Sequence, residues 1–284
     1  MQSIKRASVA ALLAMSVLPA QLPAAMAAEP VTAGQSGLAT YADLADLADS
    51  AQLVVRARVL KLARVENERA PGLRPGWGRF FVKAKTQLLL TGDAPLGESL
   101  RYLVDLPLDA RGKAPSVKKK DVLLFARAVP GRLDELQLVA PDAQLLWSEP
   151  LEARVRSILT ELVAPDAPGR ITGVREIIHV PGNLAGEGET QIFLTTSDRS
   201  AASMTVRHRP GDPPRWGASF SELVADVANP PSRDTLAWYR LACFLPHQLP
   251  SGANHSETAA ARAQAEADYR MVLGELGSCR RTRQ

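Results

Sequence analysis

Three patterns in the sequence predict an α+β protein. Short strand signals separated by turns run to about residue 140, a second and shorter set follows Ile171, and helical periodicity brackets that second set. The first set has no long intervening helix, which predicts an antiparallel barrel or sandwich. The second predicts a small antiparallel sheet with three helices. Composition agrees: of 284 residues, 46% are hydrophobic and 23% charged, enough apolar side chain for a sizeable core and too much for a chain disordered throughout.

Residues 1–27 read as a secretory signal peptide. Lys5 and Arg6 give a basic start, Val9 to Leu18 an apolar centre, and Ala25-Met26-Ala27 a small-residue cleavage signal before Ala28. A membrane anchor, the other reading, needs a longer apolar span, and Pro19 and Pro23 interrupt this one. No other stretch approaches membrane-spanning length, so the expectation is a periplasmic or secreted chain with no integral membrane segment. Without Lys5 and Arg6, 32 basic residues face 30 acidic ones, a net charge of +2 that argues against nucleic acid as the partner.

Residues 28–37 form a short polar leader, and 38–147 the β domain. Thr40 and Asp43 resemble a capping box, and Leu38, Tyr41, Leu44 and Leu47 follow at helical spacing. In Leu53 to Val65, Val55, Ala57 and Val59 alternate with Arg56 and Arg58, as in a strand with one buried face. Ala70 to Arg79 reads as a loop around Trp77, and strands are predicted at Phe80 to Leu90, Leu100 to Val104, Asp121 to Val129 and Glu135 to Val139. Gly92 and Gly112 mark turns between them.

Three of these segments carry a resemblance. Asp46 to Val59, Val82 to Asp93 and Lys120 to Ala126 resemble a loose group of exported bacterial proteins with a helix running into an "aDlVv.g.V" strand, a "v.e.LKGd" strand and turn, and a "G.vLLFL" strand. That group is similar to the OB-fold-like barrel of netrin-type and tissue-inhibitor-of-metalloprotease modules. The match covers residues 40 to 140, with Leu90-Thr91-Gly92 in place of Leu-Lys-Gly. It implies an OB-like barrel for the N-terminal half and carries no activity. The N-terminal cysteine with which the tissue inhibitors approach a metal is missing.

Residues 148–169 read as a connecting helix and linker, with Pro150 in the first turn and Leu151, Val155, Ile158, Leu159 and Leu162 on one face. Residues 170–284 form the α+β domain. Strands are predicted at Ile171 to Val180, Thr190 to Thr196, Ser203 to His208 and Arg215 to Ala218. A helix opens at the Ser219–Glu222 capping box, carrying Phe220, Leu223, Val224 and Val227 on one side. A second, buried helix runs from an N-cap at Ser232 to a stop at Pro246, and an alanine-rich one from Ser256 to Leu276. The only cysteines, Cys243 and Cys279, are expected to pair in an oxidising compartment, the alternative being two free thiols. A tight antiparallel hairpin would hold their sulfurs about 30 Å apart at the helical rise per residue. The expectation is therefore a linker that returns the last helix in the same sense as its neighbour.

No catalytic signature emerges. His179, His208, His247 and His255 have no metal-ligand spacing, and His208, between Arg207 and Arg209, reads as a solvated edge residue. Gly186 to Glu189 reads as a hairpin turn, since a calcium loop needs more oxygen ligands. Gly217 to Ser221 lacks the closing glycine of a nucleophile elbow, and Ser116-Val117-Lys118-Lys119 has none of the companion motifs of a serine–lysine site. No cofactor is implied. Trp77, Phe80, Phe81, Lys83, Lys85 and the Lys118, Lys119, Lys120 cluster form a candidate ligand face, against the plainer reading that Phe81 fills the barrel and the lysines guard an edge. The function expected is an exported, non-enzymatic binding or scaffold protein of the bacterial cell envelope, with an envelope protein or polysaccharide as partner. Alternatives are a secreted hydrolase assembled from His179, Glu187, Glu189 and Asp226, and an inhibitor of secreted enzymes.

Overall fold

Thr40 opens the first helix, α1 (Tyr41–Ser50): its hydroxyl accepts the Asp43 amide at 3.1 Å while Asp43 accepts the Thr40 amide at 2.9 Å. Aspartate thus completes the capping box where glutamate is usual. The structure is a computed structural model in which residues 39–221 and 230–283 are described. The expected cleavage residues Ala25, Ala27 and Ala28, and Asp226, lie outside them, as does the body of the helix expected from Ser219.

Six strands follow: β1 (Leu53–Arg64), β2 (Trp77–Thr91), β3 (Ser99–Pro107), β4 (Asp121–Val129), β5 (Arg132–Leu138) and β6 (Gln144–Leu146). The sheet order is β1-β2-β3-β5-β4-β6, and a further β1–β4 pairing closes the first five into an OB-like barrel. Five strands cannot alternate in direction all the way round a ring. One pairing must be parallel, and it is β3 with β5, through Arg101 and Glu135. Sequence patterning missed β6, whose three residues are too short to show a period, and left Trp77 in a loop although it begins β2. Pleat alternation turns Phe80, Val82 and Ala84 inward with Val55, Ala57, Val59, Tyr102 and Leu124. β4 is buried on both faces, since Leu123 and Phe125 face outward into a second core beneath α1.

That second core runs on into the C-terminal half. Helix α2 (Glu149–Leu162) starts on Ser148 and contributes Leu151, Val155, Ile158 and Leu159. Then β7 (Ile171–Pro181), β8 (Gly188–Thr196), β9 (Ser203–His208) and β10 (Arg215–Ser219) form an antiparallel meander in the order β10-β9-β8-β7. Gly186, at φ 82°, supports the β7–β8 hairpin. Two described helices, α3 (Leu236–Phe244) and α4 (Ala259–Leu276), cover this sheet, and residues from Ala39 onward form one compact unit. Helix α3 begins later than predicted: Asp234, at φ 60°, keeps the chain out of helical geometry, so Thr235 rather than Ser232 is the cap.

The two cysteines lie at disulfide distance, with Cα atoms 5.0 Å apart and a sequence separation of 36. The route differs from the expectation of helices in the same sense. Trp238 Nε1 donates to the Leu276 carbonyl at 2.9 Å and Tyr269 Oη to the Pro246 carbonyl at 2.7 Å, so the paired positions run in opposite order. Gly277, at φ 69°, turns the chain after α4 and brings Cys279 back to Cys243.

The tail then returns to α1, whose three aspartates recur every third residue. Asp43 accepts the Thr282 hydroxyl at 2.6 Å and the Arg283 amide at 3.1 Å. Asp46 takes Tyr239 Oη and Arg281 Nε, each at 2.6 Å. Asp49 holds Arg170 and, through two bonds of 2.8 and 2.9 Å, the buried Arg240. Burial alone would raise the Asp49 pKa; the hydrogen bonds from Arg240 and Arg170 outweigh it and hold the carboxyl below its usual range.

Candidate functional site

The outer face of the barrel over β1 and β2 is basic. Cross-strand register places Arg58 beside Lys85, Lys61 beside Lys83, and Lys83 beside Arg101 of β3. The segment before β4 joins this face through the backbone: the Lys119 amide donates to the Val59 carbonyl at 2.8 Å, and the Val59 amide to the Lys120 carbonyl at 3.0 Å. Some of the charge is balanced. Asp121 accepts from Arg58 at 2.7 Å and Arg56 at 2.9 Å, which keeps its carboxyl below the usual range, Arg58 contributing most. Lys85 approaches Glu98 at 3.7 Å, and Arg101 pairs with Asp134 and Glu135. Among the described residues, Lys61, Lys83, Lys118, Lys119 and Lys120 are exposed and appear in no ion pair.

The predicted ligand face is therefore partly assembled. Lys83 and Lys85 lie on the outer face, with Lys118 to Lys120 one strand away, but Phe80 points into the barrel, only 6% exposed, because the pleat assigns it to the Val82 side. Its neighbour Phe81 takes the outer parity and is half-buried. Trp77 does not offer a bare ring, since the Arg74 guanidinium stacks over it at 3.8 Å. Lys61 was missed, together with its exposed neighbour Leu60. Strict alternation along β1 places Leu60 outward with Arg56 and Arg58, but a bulge between Val59 and Lys61 shifts the register and turns Lys61 outward as well, which alternation alone could not reveal.

A second constellation lies under α4. Adjacent strands bring His179, Thr190 and His208 together, and Asp268 reaches them from the helix. Asp268 accepts from the Thr190 hydroxyl, from Gln264 Nε2 at 2.9 Å, and from His208 Nε2 at 2.9 and 3.0 Å. His179 Nδ1 lies 2.8 Å from Thr190 Oγ1. The single hydroxyl proton of Thr190 goes to the carboxylate, so the network assigns the Nδ1 proton to His179, which donates it to the hydroxyl. Burial of the imidazole holds its pKa below the ordinary histidine value, with His208 adding to this and Asp268 opposing it.

This chemistry is that of an anchor. A nucleophilic hydroxyl needs a base to receive its proton, whereas Thr190 accepts from the imidazole and is fully buried. His208 is a correction: the strand turns it toward Asp268, not into solvent, with its side chain 17% exposed. The other candidate carboxylates stay away from His179. Glu187 accepts the Leu184 amide in its own hairpin turn, and Glu189 faces the opposite side of the sheet, 3.0 Å from Arg207. Among the described residues, no group of His, Cys, Asp and Glu is placed to hold a metal ion. A cleft of about 500 Å³ opens beside Arg175, Phe193 and Arg199, and its described lining has no histidine or carboxylate.

No protein-family model and no curated protein matches the chain. Among the described residues, no helix is long and apolar enough to cross a membrane.

Proposed function

We propose that the chain is an exported, non-enzymatic binding or scaffold protein of the bacterial cell envelope, related to the exported barrel proteins it resembles, and that it binds through the basic outer face of its barrel. The leader-like residues 1–27 and the cysteines at disulfide distance support export. The observation that carries the binding reading is the group of five exposed lysines, Lys61, Lys83 and Lys118 to Lys120, without acidic partners among the described residues. Like charges gathered on one face repel one another. An anionic partner relieves that repulsion and is steered toward the face.

The test compares the wild-type chain with a Lys83→Glu/Lys120→Glu variant as bait for bacterial envelope extract. The wild type is expected to retain envelope material that the variant releases. Nothing retained above background, or equal retention by both baits, refutes the proposal.

A further inference from the structure

Resting on that reading of the basic face, we infer that its partner is the surface of an anionic lipid bilayer. The charge pattern is the first ground. After the leader, every lysine of the chain lies between residues 61 and 120, while arginines supply most of the fixed ion pairs elsewhere. Arginine's planar fork suits directed pairs, and the lysine ammonium is a hydrated point charge suited to a diffuse field of phosphates. Apolar side chains set among those charges are the second ground. Leu60 is 49% exposed within the β1 bulge and Leu103 is 50% exposed, paired in register with Phe81 next to the Lys83–Arg101 pair. Stable attachment to a bilayer takes two signals, and this face offers both: apolar groups to enter the interface and lysines to meet headgroups.

The aromatic geometry favours lipid over the alternatives. Glycan and single-strand nucleic acid recognition use open ring faces for stacking. Here the Arg74 guanidinium stacks over the Trp77 ring, Phe80 is inside the barrel, and the outward Phe81 is half-buried in register with Leu103.

The test is co-sedimentation of the chain from Ala28 onward with vesicles of phosphatidylcholine alone or mixed with phosphatidylglycerol. Binding is expected to the mixed vesicles only and to weaken as salt is raised. Each lysine near an anionic surface contributes about fivefold, so Lys61→Gln/Lys83→Gln is expected to weaken binding roughly thirtyfold. Leu60→Ser/Leu103→Ser is also expected to weaken it, and both variants should melt with the wild type. Equal binding to neutral vesicles, or no effect of the lysine substitutions, overturns the inference. Capture of soluble dextran sulfate or of an envelope protein, with no vesicle binding, overturns the lipid assignment and leaves the basic face standing. If the Lys61→Gln/Lys83→Gln pair changes neither vesicle binding nor retention of envelope extract, the face itself is wrongly assigned.

Discussion

Replacing both cysteines, Cys243→Ser with Cys279→Ser, separates the covalent from the non-covalent hold on the tail. With 36 residues of separation, the bridge restricts the unfolded chain by an entropy that corresponds to about 4 kcal/mol at 25 °C in the loop-closure account. For a unit of this size that is a fall in melting temperature of about 8–15 °C. The folded tail has other attachments that substitution leaves in place: Trp238 on the Leu276 carbonyl, Arg281 on Asp46, and Thr282 with Arg283 on Asp43. The variant should therefore keep a docked tail and lose stability chiefly through its looser unfolded state. Urea denaturation of both proteins, read by tryptophan fluorescence with and without reductant, gives the comparison. A difference under about 1 kcal/mol refutes the loop-closure reasoning. Rapid proteolysis at residues 280–283 in the native variant would refute the claim that α1 holds the tail.

Two further outcomes follow from the cluster under α4. Asp268→Ala leaves Thr190, Gln264 and His208 without their shared acceptor in a buried site, and should cost about 3–5 kcal/mol in denaturant titration, with Asp268→Asn costing less. Its pH dependence is set by His179, whose folded pKa lies below the unfolded value near 6.5. The unfolded chain therefore takes up the proton first as pH falls. Stability is intact above about pH 6.5 and declines below it until the folded pKa is passed. His179→Gln should flatten that decline in thermal melts taken across pH 7 to 5, and an unchanged slope would remove His179 as its source.

The barrel was legible in the sequence because its strands alternate over five or more residues, as from Val55 to Val59, and because glycines mark several of its turns. The register was not. One extra residue at Leu60 reassigns the side chains beyond it, and parity alone decided that Phe80 belongs to the core and Phe81 to the outer face. The histidine cluster was illegible for a different reason. His179, His208 and Asp268 stand 29 and 60 residues apart along the chain, and only the meander beneath α4 unites them. The paired cysteines were the easiest long-range contact to foresee, since the chain has no others. The route between them depended on Gly277, which reverses the chain just beyond the last helical turn.

The aspartates of α1 have a consequence for the order in which the molecule can be completed. Tyr239 and residues 281–283 meet Asp46 and Asp43 across separations of 193 to 240 residues, nearly the whole span of the described residues at its upper end. Contacts this remote are slow to form and give nothing until residues 281–283 have been made. Helix α1 is thus made well before the residues that satisfy its aspartates. A chain emerging from a ribosome stays short of its native state until residues 281–283 are free to reach α1.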